Sequence, residues 1–98
     1  MIINQAEWQI TKIANTAYKN IKNLNPETQR TIIERFEALQ INPFKQDIRK
    51  IEGQTDIFRG RIGDYRYYFR LSRKSKSIEL LLFEKRGSIK KKTIQRMK

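Results

Sequence analysis

Apolar residues change their spacing about halfway along this chain of 98 residues. Over residues 10–24 they recur three and four positions apart, as on one face of a helix, yet residues 8–13 are also rich in strand-forming side chains. Both interpretations fit residues 8–13, and we favour the strand. A helix then follows from about residue 16 to residue 23, with Asn15 and Thr16 as its N-cap.

A second helix is predicted from clear boundary signals. Asn25 suits an N-cap, Pro26 suits the first helical position, and Glu27 places negative charge where the helix dipole favours it. An apolar stripe follows, formed by Ile32, Ile33, Phe36 and Leu39. Pro43 ends the helix because the residue before a proline avoids the α region. Because the link between the helices is short, we expect an antiparallel helical hairpin with one apolar face.

Beyond residue 48 the apolar positions alternate, which predicts strands over residues 57–62, 65–71 and 78–84. Residues 48–51 fit a short edge strand, and apolar residues on both faces of the last strand indicate an interior position in the sheet. The predicted fold class is α+β: a two-helix antiparallel hairpin packed on one face of a mainly antiparallel sheet of about four strands. No linker divides residues 1–98, which we expect to form a single domain. Residues 90–98 form either a short helix or a flexible basic arm.

Gly63 and Asp64 form a two-residue link of the primed-turn type, which sets the register of the strands on either side. Ile62 then pairs with Tyr65. One face of this hairpin is apolar and suits the helices, whereas the other collects Ile57, Arg59, Arg61, Arg66, Tyr68 and Arg70. Because like charges directly opposite one another destabilise a sheet, the four arginines favour a functional surface. The alternative is a solvated face paired with scattered acidic residues.

Positive charge is concentrated in the second half of the chain. There are 22 Lys and Arg against 10 Asp and Glu, and the net charge is +2 over residues 1–49 but +10 over residues 50–98. This balance favours a polyanionic partner, either nucleic acid, the ribosome or an acidic protein. The absence of Cys and His excludes disulfides, thiolate nucleophiles, cysteine-based zinc sites and proton transfer by histidine. We predict no metal, no cofactor and, for want of a membrane span or leader pattern, a cytoplasmic protein.

The arginine face suits RNA. Arginine presents a planar fork of donors that matches phosphate oxygens, and Tyr68 beside Arg70 would offer a ring for base stacking. Lys85 and Arg86 follow the last strand and border the same groove if that strand pairs antiparallel with residues 65–71. Two interpretations fit Lys90, Lys91 and Lys92: they contact RNA as well, or they only make the protein more soluble.

The order of strand, two helices and antiparallel hairpin sheet resembles the RelE/ParE superfamily of type II toxins, and its RelE-like branch in particular. The most specific stretch is residues 56–70, where the family shows a basic strand, a Gly-Asp-Tyr-Arg turn and an aromatic strand. Residues 17–24 resemble the first helix of the family, residues 39–43 its helix end before proline, and residues 85–87 its basic motif after the last strand. The resemblance covers nearly the whole chain.

This resemblance implies a ribosome-dependent mRNA endonuclease that inhibits translation without a metal ion. Arg59 and Arg61 resemble the basic strand residues that contact mRNA and assist proton transfer. Arg66 resembles the arginine that stabilises the transition state, and Arg86 resembles the second catalytic arginine. RelE-like enzymes usually carry Tyr or His a few residues further on, where this chain has Lys90. Since a lysine crowded by cations loses its proton more readily, we assign Lys90 to proton transfer as a hypothesis.

The resemblance also implies partners. These are the ribosome, mRNA and an acidic antitoxin encoded beside the toxin gene, in a hetero-oligomer that binds operator DNA through the antitoxin. An acidic segment that folds on binding would mask a positively charged face. Two alternatives stay open: a ParE-like gyrase poison on the same fold, and a catalytically degenerate homologue that only binds RNA or the antitoxin.

Overall fold

Residues 6–85 are described by the computed structural model, and they form two helices and a five-stranded sheet. The elements in chain order are β1 (Gln9–Ile13), α1 (Asn15–Lys22), α2 (Pro26–Ile41), a 3₁₀ turn (Pro43–Lys45), β2 (Ile48–Lys50), β3 (Ile57–Ile62), β4 (Tyr65–Ser72) and β5 (Ser77–Lys85). The α+β prediction is confirmed. Neither helix is long and apolar enough to cross a membrane within this part of the chain.

The strands are arranged in the order β1-β5-β4-β3-β2. β1 runs parallel to β5, and every other neighbouring pair is antiparallel. The sheet has five strands rather than about four because both short segments, β1 and β2, join it as edges. The prediction that β5 is an interior strand, antiparallel to β4, is confirmed. The predicted helix or arm over residues 90–98 lies outside the described residues.

The turn between β3 and β4 has the geometry that its sequence predicts. Gly63 has φ of 59°, whereas Asp64 does not enter the left-handed region. Positive φ at the first central position only is the pattern of a type II′ turn, where glycine is the favoured residue. Ile62 pairs with Tyr65 as predicted, so side chains along both strands are assigned to faces as expected.

The two helices begin differently. Asn25 caps α2, accepting a hydrogen bond from the Thr28 backbone N–H at 2.8 Å, as predicted. The predicted cap of α1 is wrong, since Asn15 is already helical and Ala14 is the N-cap without a side-chain hydrogen bond. The backbone N–H of Ala14 donates to the Leu80 carbonyl oxygen at 2.9 Å. This backbone bond to β5 keeps Ala14 extended at the end of β1. The helix therefore starts one residue earlier than the side-chain signal indicates.

Both helices lie against the same face of the sheet. Their buried residues pack into one core with the inward side chains of the strands, formed by Trp8, Ala17, Ile32, Leu39, Ile62, Tyr67, Phe69, Leu71, Ile78, Leu80 and Phe83. The helices also satisfy strand backbone groups. The backbone carbonyl oxygen of Gln40 accepts from the Trp8 N–H at 2.8 Å. The side-chain Oε1 of Gln40 accepts from the Ile10 N–H at 2.9 Å. Asn20 donates to the Phe83 carbonyl oxygen at 2.7 Å. The edge strand β1 is thus covered on its open side.

Gly60 and Tyr67 form the tightest cross-strand pair of the core. They are directly opposite one another in β3 and β4, and the Tyr67 ring fills the space above Gly60. A Cβ atom at residue 60 would lie 2.6 Å from Tyr67 Cε1 and closer still to Cζ and the hydroxyl oxygen. Tyr67 also stacks on Phe69 and meets the edge of Phe36. Only glycine therefore leaves room for this aromatic cluster.

Substitution Gly60→Ala should destabilise the fold by about 1–3 kcal/mol, the usual cost of overpacking a filled core. Urea denaturation measures the effect. The same substitution in a Tyr67→Ala background should cost clearly less, because the ring that causes the clash is gone. Equal costs in both backgrounds would contradict the assigned packing.

The Tyr67 hydroxyl is buried and has no partner at hydrogen-bonding geometry among residues 6–85. Burial raises the pKa of Tyr67, and the nearby Arg35 guanidinium only partly opposes this effect. The folded protein therefore holds the phenol proton more tightly than the unfolded chain does. Stability from this group is complete below pH 10, near the ordinary tyrosine pKa, and declines above it.

Tyr67→Phe should flatten the loss of stability above about pH 10. It should also leave the unfolding free energy near neutral pH unchanged or slightly higher, because an unpartnered buried hydroxyl is removed. Thermal melts between pH 7 and pH 11 test this, with Tyr18→Phe as the control because Tyr18 is 55% exposed. Identical alkaline behaviour of the two variants would refute the assignment.

Candidate nucleic-acid interface

The sheet face opposite the helices carries rows of arginines. Residue alternation along β3 and β4 places Arg59, Arg61, Arg66 and Arg70 there, as predicted. β2 adds Arg49, which pairs with Arg59. The sequence did not reveal Arg49 as part of this face, because the register of so short an edge strand has no local turn to fix it. Both helices described within residues 6–85 pack on the other side of the sheet.

The central row joins three strands. Arg61 of β3 pairs with Arg66 of β4, and Arg66 pairs with Glu84 of β5. Arg66 is partly exposed, but its Nε atom is buried and finds no acceptor within residues 6–85. A buried guanidinium donor without an acceptor is costly, and an anionic oxygen would satisfy it. This row is therefore the part of the face best suited to a phosphate.

Two guanidiniums near this row are held in place by other groups. Arg35 of α2 donates through an Nη atom to the Arg61 carbonyl oxygen at 2.7 Å, which fixes the β3 backbone next to the turn. Arg70 donates to Glu79 Oε1 at 3.1 Å, and the pair is about one-third exposed. Arg70 is thus partly neutralised, and its charge contributes less to the face than that of Arg61 or Arg66.

The predicted exposed ring of Tyr68 is wrong. Tyr68 lies on the arginine face but is only 2% exposed. Its cross-strand partners are Arg59 and Leu82. Long arginine stems can bury apolar surface while the charged head stays in water. The sequence places Tyr68 on the correct face, but alternation along a strand does not give the depth of burial.

The remaining predicted site residues are distributed between β5 and the segment after it. Lys85 is the exposed last residue of β5, and its pairing with Tyr65 puts it on the helix side of the sheet, so the prediction that it borders the arginine groove is wrong. The other four, Arg86, Lys90, Lys91 and Lys92, lie outside the described residues. Within residues 6–85 no cluster of acidic side chains has the arrangement of a metal site.

Glu84 is a residue of this face that the sequence did not single out. A β-bulge interrupts the β4–β5 pairing, so that Phe69 pairs with Leu80 while Tyr68 pairs with Leu82. Leu81 is the extra residue. Uninterrupted pairing would place Phe83 opposite Arg66, whereas the bulge directs Phe83 into the core and sets Glu84 opposite Arg66. The apolar run through residues 80–83 gives no local indication of where the bulge falls.

No protein-family model matches the sequence, and no curated protein matches it either. Solved structures do match. The archaeal RelE-RelB complex from Pyrococcus horikoshii is similar with 30% identity and a TM-score of 0.72, covering 85% of this chain and 99% of that one.

Two further matches are more distant in sequence. The isolated Escherichia coli RelE toxin is 12% identical with a TM-score of 0.69, covering 95% of this chain and all of that one. The toxin-antitoxin complex RelBE2 from Mycobacterium tuberculosis is 19% identical with a TM-score of 0.67, covering 84% of this chain and 100% of that one. This chain belongs to the RelE-like superfamily of type II toxins.

Tyr68→Leu should lower the unfolding free energy by about 0.5–3 kcal/mol, because the buried ring is replaced by a smaller side chain. RNA affinity should stay within about twofold, since a stacking residue would instead contribute about 1–3 kcal/mol of binding. Urea denaturation and RNA titration distinguish the two roles. Tyr18→Leu on the exposed surface of α1 serves as the control, and a selective loss of RNA affinity in Tyr68→Leu would restore the stacking role.

Proposed function

We propose that this chain is the toxin of a type II toxin-antitoxin pair and that it cleaves mRNA on the ribosome. The observation that carries the proposal is the Arg61–Arg66 row on the sheet face opposite both helices, with a buried Arg66 Nε donor that lacks an acceptor among residues 6–85. Membership of a toxin superfamily and the net charge of +10 in residues 50–98 support it.

The proposed reaction needs no metal ion. The ribose 2′-OH attacks the adjacent phosphorus, and the negative charge of the resulting phosphorane must be stabilised. Preorganised guanidiniums provide such electrostatic stabilisation, which is usually the largest single contribution to catalysis. Arg66 binds the phosphate in this proposal, while Arg61 and Arg59 orient it from β3. Arg86 and Lys90 stay hypotheses from the family resemblance, as the second phosphate-binding arginine and a proton-transfer group.

RNA binding would extend beyond the reacting phosphate. Lys91 and Lys92, after the end of β5, are proposed as further contacts from the sequence. Arg70 would contribute after exchanging Glu79 for a phosphate oxygen, because its present ion pair is one-third exposed and readily competed by solvent. Contacts of this kind depend on salt, since each neutralised phosphate releases counterions.

We also propose an acidic antitoxin as partner. The matched structures include a RelE-RelB complex from Pyrococcus horikoshii and the toxin-antitoxin complex RelBE2 from Mycobacterium tuberculosis. The arginine face suits an acidic segment that folds as it binds, because the guanidiniums proposed to bind RNA phosphates would bind its carboxylates instead. Co-expression with the product of a neighbouring gene for a small acidic protein should restore growth and yield a complex that dissociates in high salt.

Arg66→Ala should lower the rate of mRNA cleavage on programmed ribosomes by about 10²–10³-fold, the usual effect of losing one charge-stabilising donor. The control is Arg30→Ala, which removes an exposed arginine from α2. Its cleavage rate should match that of the unaltered toxin. Thermal melts of both variants separate a lost donor from a lost fold.

Other results of this experiment point to the alternatives. Full activity of Arg66→Ala would remove Arg66 from the site. Growth arrest with intact mRNA and altered DNA supercoiling would identify a gyrase poison. RNA binding without cleavage or toxicity would identify a degenerate homologue.

A further inference from the structure

The arginine face contains a carboxylate next to its best phosphate position. Two glutamates of β5, Glu79 and Glu84, lie on this face, each opposite an arginine of β4. They differ in how they are engaged. Glu79 is held by Arg70 at 3.1 Å, whereas no salt bridge engages Glu84 among residues 6–85. Arg66 keeps its Nε without an acceptor although Glu84 is directly opposite. The Arg66–Glu84 pair is therefore not a closed ion pair.

We infer that Glu84 is the general base of the proposed RNA cleavage, accepting the proton of the attacking 2′-OH. This inference rests on the proposed function and adds a residue to its site. Carboxylates are established general bases in enzymes, and the described part of the face offers no histidine for the task. A phosphate bound by Arg66 would lie between the two groups that the reaction needs, a cation on one side and a proton acceptor on the other.

Strand spacing makes this arrangement feasible. Directly opposite residues of an antiparallel pair have Cβ atoms about 4.5–5.5 Å apart. A general base must come within about 2.6–3.2 Å of the proton-donating oxygen, and that oxygen is about 3 Å from the phosphorus it attacks. A carboxylate one strand away from the phosphate-binding arginine meets both requirements. Arg61 lies two strand spacings from Glu84, about 10 Å, and so contacts the phosphate from the far side.

The β-bulge at Leu81 is the structural feature that creates this site. Without it Phe83 would be opposite Arg66, and the carboxylate of Glu84 would point into the apolar core. Bulges often occur next to active sites, where they redirect a side chain. Glu84 is partly exposed in this position.

The chemical step balances without any further reagent. The Glu84 carboxylate takes the 2′-OH proton as the bond from O2′ to phosphorus forms. The bond from phosphorus to the 5′ oxygen breaks, and this oxygen takes the electron pair and a proton from water. The products are a 2′,3′-cyclic phosphate and a 5′-hydroxyl end. Glu84 then releases its proton to solvent and is ready for another cycle.

Within residues 6–85, the charged groups nearest Glu84 belong to the sheet. Arg66 and, beyond it, Arg61 face it across the strands, while Lys85 follows it on β5. Tyr65 and α1 lie on the other side of the sheet, against the core. The rate should therefore fall towards acidic pH as the carboxylate becomes protonated, and this acidic limb belongs to Glu84.

The test is Glu84→Gln, which keeps the shape of the side chain and removes the base. Cleavage of mRNA on programmed ribosomes under single-turnover conditions should slow by about 10²–10⁴-fold, and the acidic limb of the pH–rate profile should disappear. Affinity for the programmed ribosome should stay within about threefold. Glu84→Asp keeps a carboxylate and should retain part of the rate together with the acidic limb. Thermal melts verify that both variants are folded.

Glu79→Gln is the matched control, because it removes the other carboxylate on the same strand and face without touching the central row. Its pH–rate profile should keep the acidic limb. A rate near that of the unaltered toxin in Glu84→Gln, or an equal loss in Glu79→Gln, would overturn the role of Glu84. If Arg66→Ala abolishes cleavage while Glu84→Gln does not, the nuclease function stands and only the base assignment fails. An unaltered toxin that cuts no mRNA would overturn both.

Discussion

The register of the hairpin between β3 and β4 is the constraint on which the rest of this structure depends. Gly63 closes a two-residue turn that only one pairing satisfies, and side chains alternate strictly between the two faces from there. Aromatic residues then meet the helices, and guanidiniums meet solvent. A shift of one residue would exchange the two sets, burying charge that has no internal carboxylates to balance it. The same strand register therefore buries the apolar side chains and places the charged ones on the opposite face.

The repulsion between arginines on one face has an energetic cost that the packing of the core must offset. Arg61 and Arg66 are directly opposite one another, which is unfavourable in an isolated sheet. The fold tolerates this pair because the other face is densely packed, with the Tyr67 ring against Gly60 and both helices above it. Most of the core lies on one side of the sheet, so substitutions of the arginines themselves can alter function with little effect on folding, whereas Tyr68 and Ile57 are buried on the arginine side.

Features set by neighbouring residues were predictable from the sequence, and features set by distant contacts were not. The Asn25 cap and the Gly63 turn depend on a few adjacent residues, and both are where the sequence places them. Alternation places Tyr68 on the arginine face but does not reveal that it is buried there. The start of α1 is set by a bond from Ala14 to β5. The arginines of the candidate site could be assigned to one face from alternation alone, whereas Glu84 joins them only through a bulge.

That bulge also leaves the gene some freedom to change in length. The loop between β2 and β3 could gain or lose residues with little effect on the sheet, since no strand pairing passes through it. Loss of one codon among residues 80–82 would remove the extra residue and make the pairing regular, with Phe83 still opposite Tyr67 and Glu84 still opposite Arg66. A relative with a one-residue gap at this point is therefore expected to present the same surface on an unbulged strand.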